Sequence, residues 1–426
     1  MILIKHGLLI DPKRGEVIRA DMLIKDGVIA KIAETIDEQA DTIIDAKGKY
    51  VGPGLVDVHV HFRDPGFTHK EDIETGAKAA AAGGVTTVVL MANTSPAVDN
   101  VDTLRYVLDK GAKTDIRVET CGNITVGLKG KELTDMEALL EAGAAGFTDD
   151  GIPILDEMMV RRAMEQAAAL SAKTGKPIPL SFHEENPEFI ENNGINRGKA
   201  SAYFGIGGSD RQAEISMIAR DLQLALETGA SFDVQHISTK EGVALVREAK
   251  KKGANIHAEA TPHHIFLTEE AAIAHGTLAK MNPPLRTQED QDAIIEGLFD
   301  GTIDMIATDH APHAANEKAL EITKAPSGII GLETSLPICI TKLYREKQMS
   351  LPMLFDRLSY GPARLYGFDR GYIAEGAAAD LVIFDPDAQV TFTEFASKSQ
   401  NSPFPGTLLY GKISHTICRG NVIYGQ

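Results

Sequence analysis

Apolar and polar positions change their period twice along this 426-residue chain. From Met1 to about Lys49 the chain reads as short strands: ILIKHGLLI, then DMLIKDGVIAKI about the Asp26-Gly27 turn, then DTIIDAKGKYV about Gly48. The same texture returns from about Gly371 in GYIAEGAAADLVIFDPD, AQVTFT and ISHTICRGNVIYG, with Arg419-Gly420-Asn421 in a second hairpin-like turn. Each end alone has too few strands to be stable. Residues 1–51 and 369–426 are therefore expected to form one small β domain together. Between them, over residues 52–368, apolar strand-like runs alternate strictly with helix-like spacers. The runs are GLVDVHVH (54–61), TTVVLMAN (86–93), DIRVETCGNI (115–124), AAGFTDDG (144–151), PIPLSFHEE (177–185), SFDVQHIST (231–239), NIHAEATPHH (255–264) and TIDMIATDHAPH (302–313). Spacers such as MVRRAMEQAAALSAKTG and TKEGVALVREAKKKG end in a glycine suited to a left-handed cap. Eight such units predict an α/β fold, a closed parallel (β/α)8 TIM-like barrel carrying the small β domain.

The length suits a barrel of roughly 250 residues or more with an added domain. With 43% hydrophobic and 24% charged residues and no low-complexity tract, the chain is expected to fold throughout. Lys plus Arg number 43 against 60 Asp plus Glu, a net charge of −17 without any dense basic run, so nucleic acid and anionic membrane are excluded as expected partners. An anionic substrate would need a local cluster of positive charge. Cys121, Cys339 and Cys418 are widely spaced with no CxxC, which argues against a disulfide framework or a thiolate metal site and fits a reducing compartment. The opening MILIKHGLLIDPKRG breaks its apolar run with Lys5, His6 and Asp11, and no apolar stretch approaches the ~18 residues that span a bilayer. A cytoplasmic location is the expectation.

Polar residues gather at the C-terminal ends of the barrel runs: His59 and His61, Asn93, Asn123, Asp149 and Asp150, His183, His236, His263 and His264, Asp309 and His310. That end carries the chemistry in such barrels, whose strands are otherwise apolar. In GPGLVDVHVHFRDPG (52–66) a side-chain period of two puts Asp57, His59 and His61 on one face and Val56, Val58 and Val60 on the other. The valines would pack on helices and leave two imidazoles in the mouth. His183 and His236 close the fifth and sixth runs. Four imidazoles with a carboxylate and no thiolate suit zinc. Asp309 can act both as ligand and as the group that takes and returns a proton. The segment Ala311–Gly331 has no clear strand and reads as a loop over the mouth.

At this point the chain resembles the amidohydrolase superfamily and, within it, the long bacterial type of dihydroorotases. The resemblance runs through PGLVDVHVHFRDPG, MANTSP, GFTDDG, SFHEEN, QHISTKEG, TPHH, KMNPPLR, IATDHAPH with EKALEITKAPSGIIGLE, and EGAAADLVIFD, nearly the whole chain. It implies one metal held by His59, His61 and Asp309, a second by His183 and His236, and Asp150 bridging two Zn2+ per subunit. Many relatives bridge with a carboxylated lysine; AAGFTDDG has none and offers Asp149 or Asp150 instead. Neighbours on a strand face opposite ways, so only one can point into the mouth. The residues alone leave either open, and the resemblance selects Asp150.

The resemblance further implies reversible hydrolysis of a cyclic amide, (S)-dihydroorotate to N-carbamoyl-L-aspartate in pyrimidine biosynthesis, with Asp309 as general base and acid. It implicates Arg63, Asn93 and His313 at the substrate carboxylate, and Asn282 with the backbone about Ser327 and Gly328 at the ring. Three departures stand out: Ala92 for a proline, FHEE for HCED, and Ser327 for an aromatic. The last leaves the ring contact in doubt. Allantoinase and dihydropyrimidinase are the competing enzymes, both normally reliant on the missing lysine; a non-catalytic scaffold for a transcarbamoylase competes from another class. The resemblance leaves room for a homodimer and for association of the active enzyme with aspartate transcarbamoylase.

Overall fold

The computed structural model describes residues 1–425. Its strands are β1 (Ile2–Asp11), β2 (Glu16–Lys25), β3 (Val28–Ala33), β4 (Thr42–Asp45), β5 (Tyr50–Pro53), β6 (Leu55–Val60), β7 (Val85–Leu90), β8 (Arg117–Thr120), β9 (Phe147–Thr148), β10 (Leu180–Phe182), β11 (Phe232–Val234), β12 (Ile256–Ala260), β13 (Met305–Ile306), β14 (Leu381–Val390), β15 (Leu409–Cys418) and β16 (Asn421–Tyr424). Strands β6 to β13 pair parallel in sequence order. Bridges Gly122↔Phe147 and Val60↔His310 join β8 to β9 and the end of β13 to β6, which closes an eight-stranded barrel. Each of the eight apolar runs coincides with one strand, shorter than the run, with β7 starting one residue before its run, because the residues past the strand ends turn into the mouth.

The helices between strands form where the pattern places them. Asp72 caps Ile73–Ala82 by accepting from Thr75 N (2.9 Å), and Thr239 caps Lys240–Lys251 by accepting from Gly242 N (3.1 Å). The helix Glu157–Thr174 ends on Gly175 at φ +69°, and Gly84 and Gly253 take the same left-handed turn after their helices. Helix and strand residues share one core that includes Val60, Val88, Leu90, Ala77, Val160 and Val246.

The chain ends meet in one sheet of order β16-β15-β14-β5-β1-β2-β3, with β4 beside β1. Asp26 and Gly27, at φ +52° and +80°, make the β2–β3 turn, and Arg419 and Gly420, at +51° and +74°, the β15–β16 turn. The strands flanking Gly48 do not pair with each other. Both run parallel along β1, β4 on Ile2–Lys5 and β5 on Leu8–Leu9. This sheet has its own core, with Leu9, Met22, Val51, Leu381 and Ile383.

One expectation fails on β6. Its register against β7 slips between Asp57 (opposite Val88) and Val60 (opposite Leu90), so three steps on one strand face two on the other. Such a bulge interrupts the alternation of faces. Val56 and Val58 accordingly join Val89, Met91, Cys121 and Met305, with Ala363 and Leu365 of the helix Gly361–Leu365, in a separate cluster, and only Val60 packs in the larger core with the barrel helices. Asp57 does not reach the mouth; its carboxylate accepts from the backbone of Thr308 and His59. The bulge delivers His59 and His61 to the barrel mouth one after the other.

Phe62, directly after His61, is 1% exposed, and a Cβ added at Gly76 would lie 2.3 Å from its ring. Alanine at this mid-helix position gains about 1 kcal/mol of helix propensity, while overpacking a closed core costs about 1–3 kcal/mol. Gly76→Ala is therefore expected to lower stability in a denaturant titration, the opposite of its effect on an exposed helix.

Candidate active site

Six side chains converge where the barrel strands end. The bulged end of β6 carries His59 and His61, and short extensions of β9, β10, β11 and β13 carry Asp150, His183, His236 and Asp309. All six are buried. Asp150 sits among the imidazoles: Oδ1 lies 3.4 Å from His59 Nε2, 3.7 Å from His183 Nδ1 and 4.0 Å from His236 Nε2, and Oδ2 lies 3.4 Å from His61 Nε2. Asp309 Oδ1 is 3.1 Å from His61 Nε2 and 3.6 Å from His59 Nε2. Donor atoms of His59, His61 and Asp150, of His59, His236 and Asp309, and of Asp150, His183 and His236 each fall within 4.8 Å of one another.

The opposite edge of each of three rings is spoken for. His59 Nδ1 meets Glu259 Oε2 at 2.8 Å, His183 Nε2 meets Glu185 Oε2 at 3.0 Å, and His61 Nδ1 meets Asn93 Oδ1 at 3.1 Å. Each arrangement fixes the tautomer and turns the remaining nitrogen inward. The fit to a metal rests on what is left over: His59 Nε2 is buried without a hydrogen-bond partner, and His183 Nδ1 faces His236 Nε2 at 2.9 Å. Without a cation, burial favours the neutral His183 ring, yet Asp150 and Glu185 outweigh it and push its pKa up to about 10. For His236, burial and then the neighbouring His183 and His59 hold the pKa well down. The centre is thus suited to shared positive charge at its middle, and its nitrogen-and-oxygen donor set is that of a metal site.

Above these groups lies a cavity of about 200 Å³, lined among others by Arg63, Asn93, Asn282, His313, Ser327 and Gly328. The structure therefore brings all the sequence-selected site residues to one place, with His59 beneath the floor. Arg63, at φ +60°, donates from Nε to the Pro312 carbonyl (3.3 Å) and is paired with no carboxylate among the described residues. Asn282 Oδ1 is buried without a partner. Asn93 touches the cavity, but its amide nitrogen donates to Asp150 Oδ2 (3.0 Å) while its oxygen holds His61, so its visible contacts are to the metal-centre side chains. The Ser327 side chain turns to Asn193 (2.7 Å), and its carbonyl meets His313 Nε2 (2.8 Å). A Cβ at Gly328 would stand 2.7 Å from that of Ala311 and 3.1 Å from His313 Nε2, so only glycine lets this backbone approach.

The loop 311–331 contains a short helix, Ala315–Lys318, and is tied down by two lysines. Lys318 Nζ donates to the Pro326 and Gly328 carbonyls (2.9 and 3.0 Å), and Lys280 Nζ to those of Ile322 and Ala325 (2.7 Å each). Burial, and next the Lys280 charge, bring the Lys318 pKa down to about 7.

Asp149 turns away from the mouth and accepts from the backbone of Ile124 (2.9 Å) and Thr125 (3.2 Å), as alternation past β9 requires. His264 is satisfied by Thr261 (2.7 Å) and the Pro283 carbonyl (3.1 Å), whereas Asn123 donates to the Thr148 carbonyl (3.2 Å) and keeps Oδ1 buried without a partner. Glu259 and Glu185 were not singled out from the sequence. The available signal for Glu259 was a charged residue between two alanines on a barrel strand, where apolar side chains are the rule.

Comparison with known proteins shows which family the chain is similar to. A profile of the family described as dihydro-orotase-like matches residues 48–242. The dihydroorotase of Clostridioides difficile (strain 630) is 53% identical over 425 residues, and that of Streptococcus pneumoniae serotype 4 is 50% identical over 426, each covering both chains fully. Among solved structures, the L-hydantoinase (dihydropyrimidinase) of Arthrobacter aurescens superposes with a TM-score of 0.89 at 28% identity, covering 100% of this chain and 96% of its own. A D-hydantoinase at 24% identity and TM-score 0.86 shares the fold.

Glu259→Gln keeps the shape but removes the charge behind His59. Metal affinity is expected to fall about 10- to 100-fold, measured by chelator competition, with the far-UV circular dichroism unchanged.

Proposed function

The chain belongs to the dihydroorotase family, and from that premise we propose how its cavity carries out the reaction. The activity is that of a hydrolase of cyclic amide C–N bonds, opening dihydroorotate to N-carbamoyl-aspartate and, in reverse, closing it. The observation that carries the reading of the site is the meeting, at one cavity, of six side chains able to ligate a metal, His59 beneath its floor, with an arginine that pairs with no carboxylate among the described residues.

Two zinc ions would be held by this donor set, one by His59, His61 and Asp309 and one by His183 and His236, with Asp150 shared, and would supply polarisation of the substrate carbonyl and an activated water. Asp309 contacts the imidazoles through Oδ1 and has no hydrogen-bond partner on Oδ2 among the described residues, so one oxygen is left to take a proton and return it to the departing amide nitrogen. Arg63 grips the ring carboxylate, where its fork suits bidentate pairing. The free Asn282 Oδ1 accepts from a ring N–H, and the Gly328 backbone closes over the ring. The hydantoinase-type alternative does not account for Arg63, since hydantoin and dihydrouracil lack the carboxylate it would bind. A homodimer, and association with aspartate transcarbamoylase, belong to the same reading.

Asp309→Asn should lower turnover by roughly 10²- to 10⁴-fold in a folded protein. Elemental analysis on the same samples separates lost proton transfer from lost metal: two zinc per chain are expected in the parent, and near-normal turnover in the variant would remove Asp309 from its role. Arg63→Ala should lower kcat/KM for dihydroorotate roughly 10- to 100-fold, the effect of a lost charge-assisted hydrogen bond, and barely change the weak activity on dihydrouracil. Equal losses on both substrates would make the arginine structural.

A further inference from the structure

We propose that Lys70 is a positioning residue that sets the tautomer of His313 at the anion-binding end of the cavity, an inference that rests on the reading of the cavity given above. His313 is buried, and both of its ring nitrogens are engaged. Nδ1 lies 3.4 Å from Lys70 Nζ, and Nε2 lies 2.8 Å from the Ser327 carbonyl oxygen. An ammonium can only donate and a carbonyl can only accept, so the ring carries its single proton on Nε2. Burial, and then the charges of Arg63, Lys70 and Lys318, hold the His313 pKa down to about 2. The ring is therefore neutral at physiological pH, and the place of that one proton decides whether it offers the cavity a donor or a lone pair.

Lys70 is itself held. Its Nζ is 3.1 Å from Glu317 Oε1, and Glu317 Oε2 accepts from Ala314 N at 2.9 Å. The same Oε2 lies 3.8 Å from His313 Nδ1. With Lys70 absent, this carboxylate becomes the nearest charged partner of Nδ1 and draws the ring proton to that side. Nε2 would then present a lone pair to the Ser327 carbonyl and to an entering carboxylate, two acceptors against one. Lys70 also adds a positive charge beside Arg63 on a protein whose overall charge is −17. Its loss is expected to weaken an anionic ligand and spare a neutral one.

The test is 15N spectroscopy of histidine-labelled, metal-loaded full-length protein, with the His313 signals assigned by His313→Gln. The parent should show the Nε2–H tautomer, Lys70→Met the Nδ1–H tautomer, and Lys70→Met/Glu317→Gln a return to Nε2–H because the competing carboxylate is gone. In kinetics, Lys70→Met should raise KM for dihydroorotate roughly 10- to 100-fold with kcat little changed, and Lys70→Arg, which keeps a donor, should recover most of it. An unchanged tautomer in Lys70→Met, or a loss confined to kcat, would overturn the inference. Failure of the parent to turn over dihydroorotate would instead strike the functional reading and leave the tautomer measurement to decide this one.

Discussion

The structure turns on the carboxylate of Asp150. Four imidazoles are brought out of water at the mouth of one barrel, and this single group stands within 4.0 Å of a ring nitrogen of each. Buried charges and unpaired donors are expensive unless paired, so such a cluster depends on partners that orient its rings from behind, which His59, His61 and His183 have. Glu259, Glu185 and Asn93 supply that orientation from three different strand ends. The barrel holds these groups in register, and the left-handed backbone at Arg63, His236 and Asp309 (φ +60°, +32° and +47°) marks where strands bend to do so. Residues other than glycine adopt that region at a cost, which the surrounding packing must hold in place.

Much of this was legible in the sequence, for identifiable reasons. Eight apolar runs alternating with glycine-closed helices leave little choice but a parallel barrel, and His59, His61, His183, His236 and Asp309 stand out because they end strands that are otherwise apolar. The bulge on β6 was not legible: strict alternation sends Val56 and Val58 outward with Val60, and a one-residue slip against β7 reverses that. The choice between Asp149 and Asp150 needed the backbone past β9, and the hold of Asn93 on His61 needed two loops in three dimensions. Lys280 and Lys318 were invisible because their partners are carbonyl oxygens, which every residue has.

The charge distribution follows a similar division between global and local. An acidic protein keeps positive charge at the one place where an anion must enter, with Arg63, Lys70, Lys280 and Lys318 about the loop 311–331. Lys280 and Lys318 spend their donors on backbone carbonyls, which ties the loop down where Ser327 and Gly328 approach the cavity, while Arg63 gives only Nε to the Pro312 carbonyl. Only Arg63 and Lys70 remain directed toward the cavity and the residues that line it.

The sheet that joins the chain ends has a consequence for how the protein is made. Strand β5 pairs on one side with β1 and on the other with β14, which leaves the ribosome roughly 300 residues later. At about 5–20 residues per second, translation holds one edge of β5 and the C-terminal part of its apolar core open for on the order of 15–60 s. The nascent N-terminal strands, with Leu9, Met22 and Val51 on their inner face, spend that time as an unfinished template for another chain's strand. Crowded synthesis on polysomes, rather than the finished enzyme, is where this architecture is most exposed to aggregation, and chaperone demand during expression should follow the delay to β14 rather than the stability of the folded barrel.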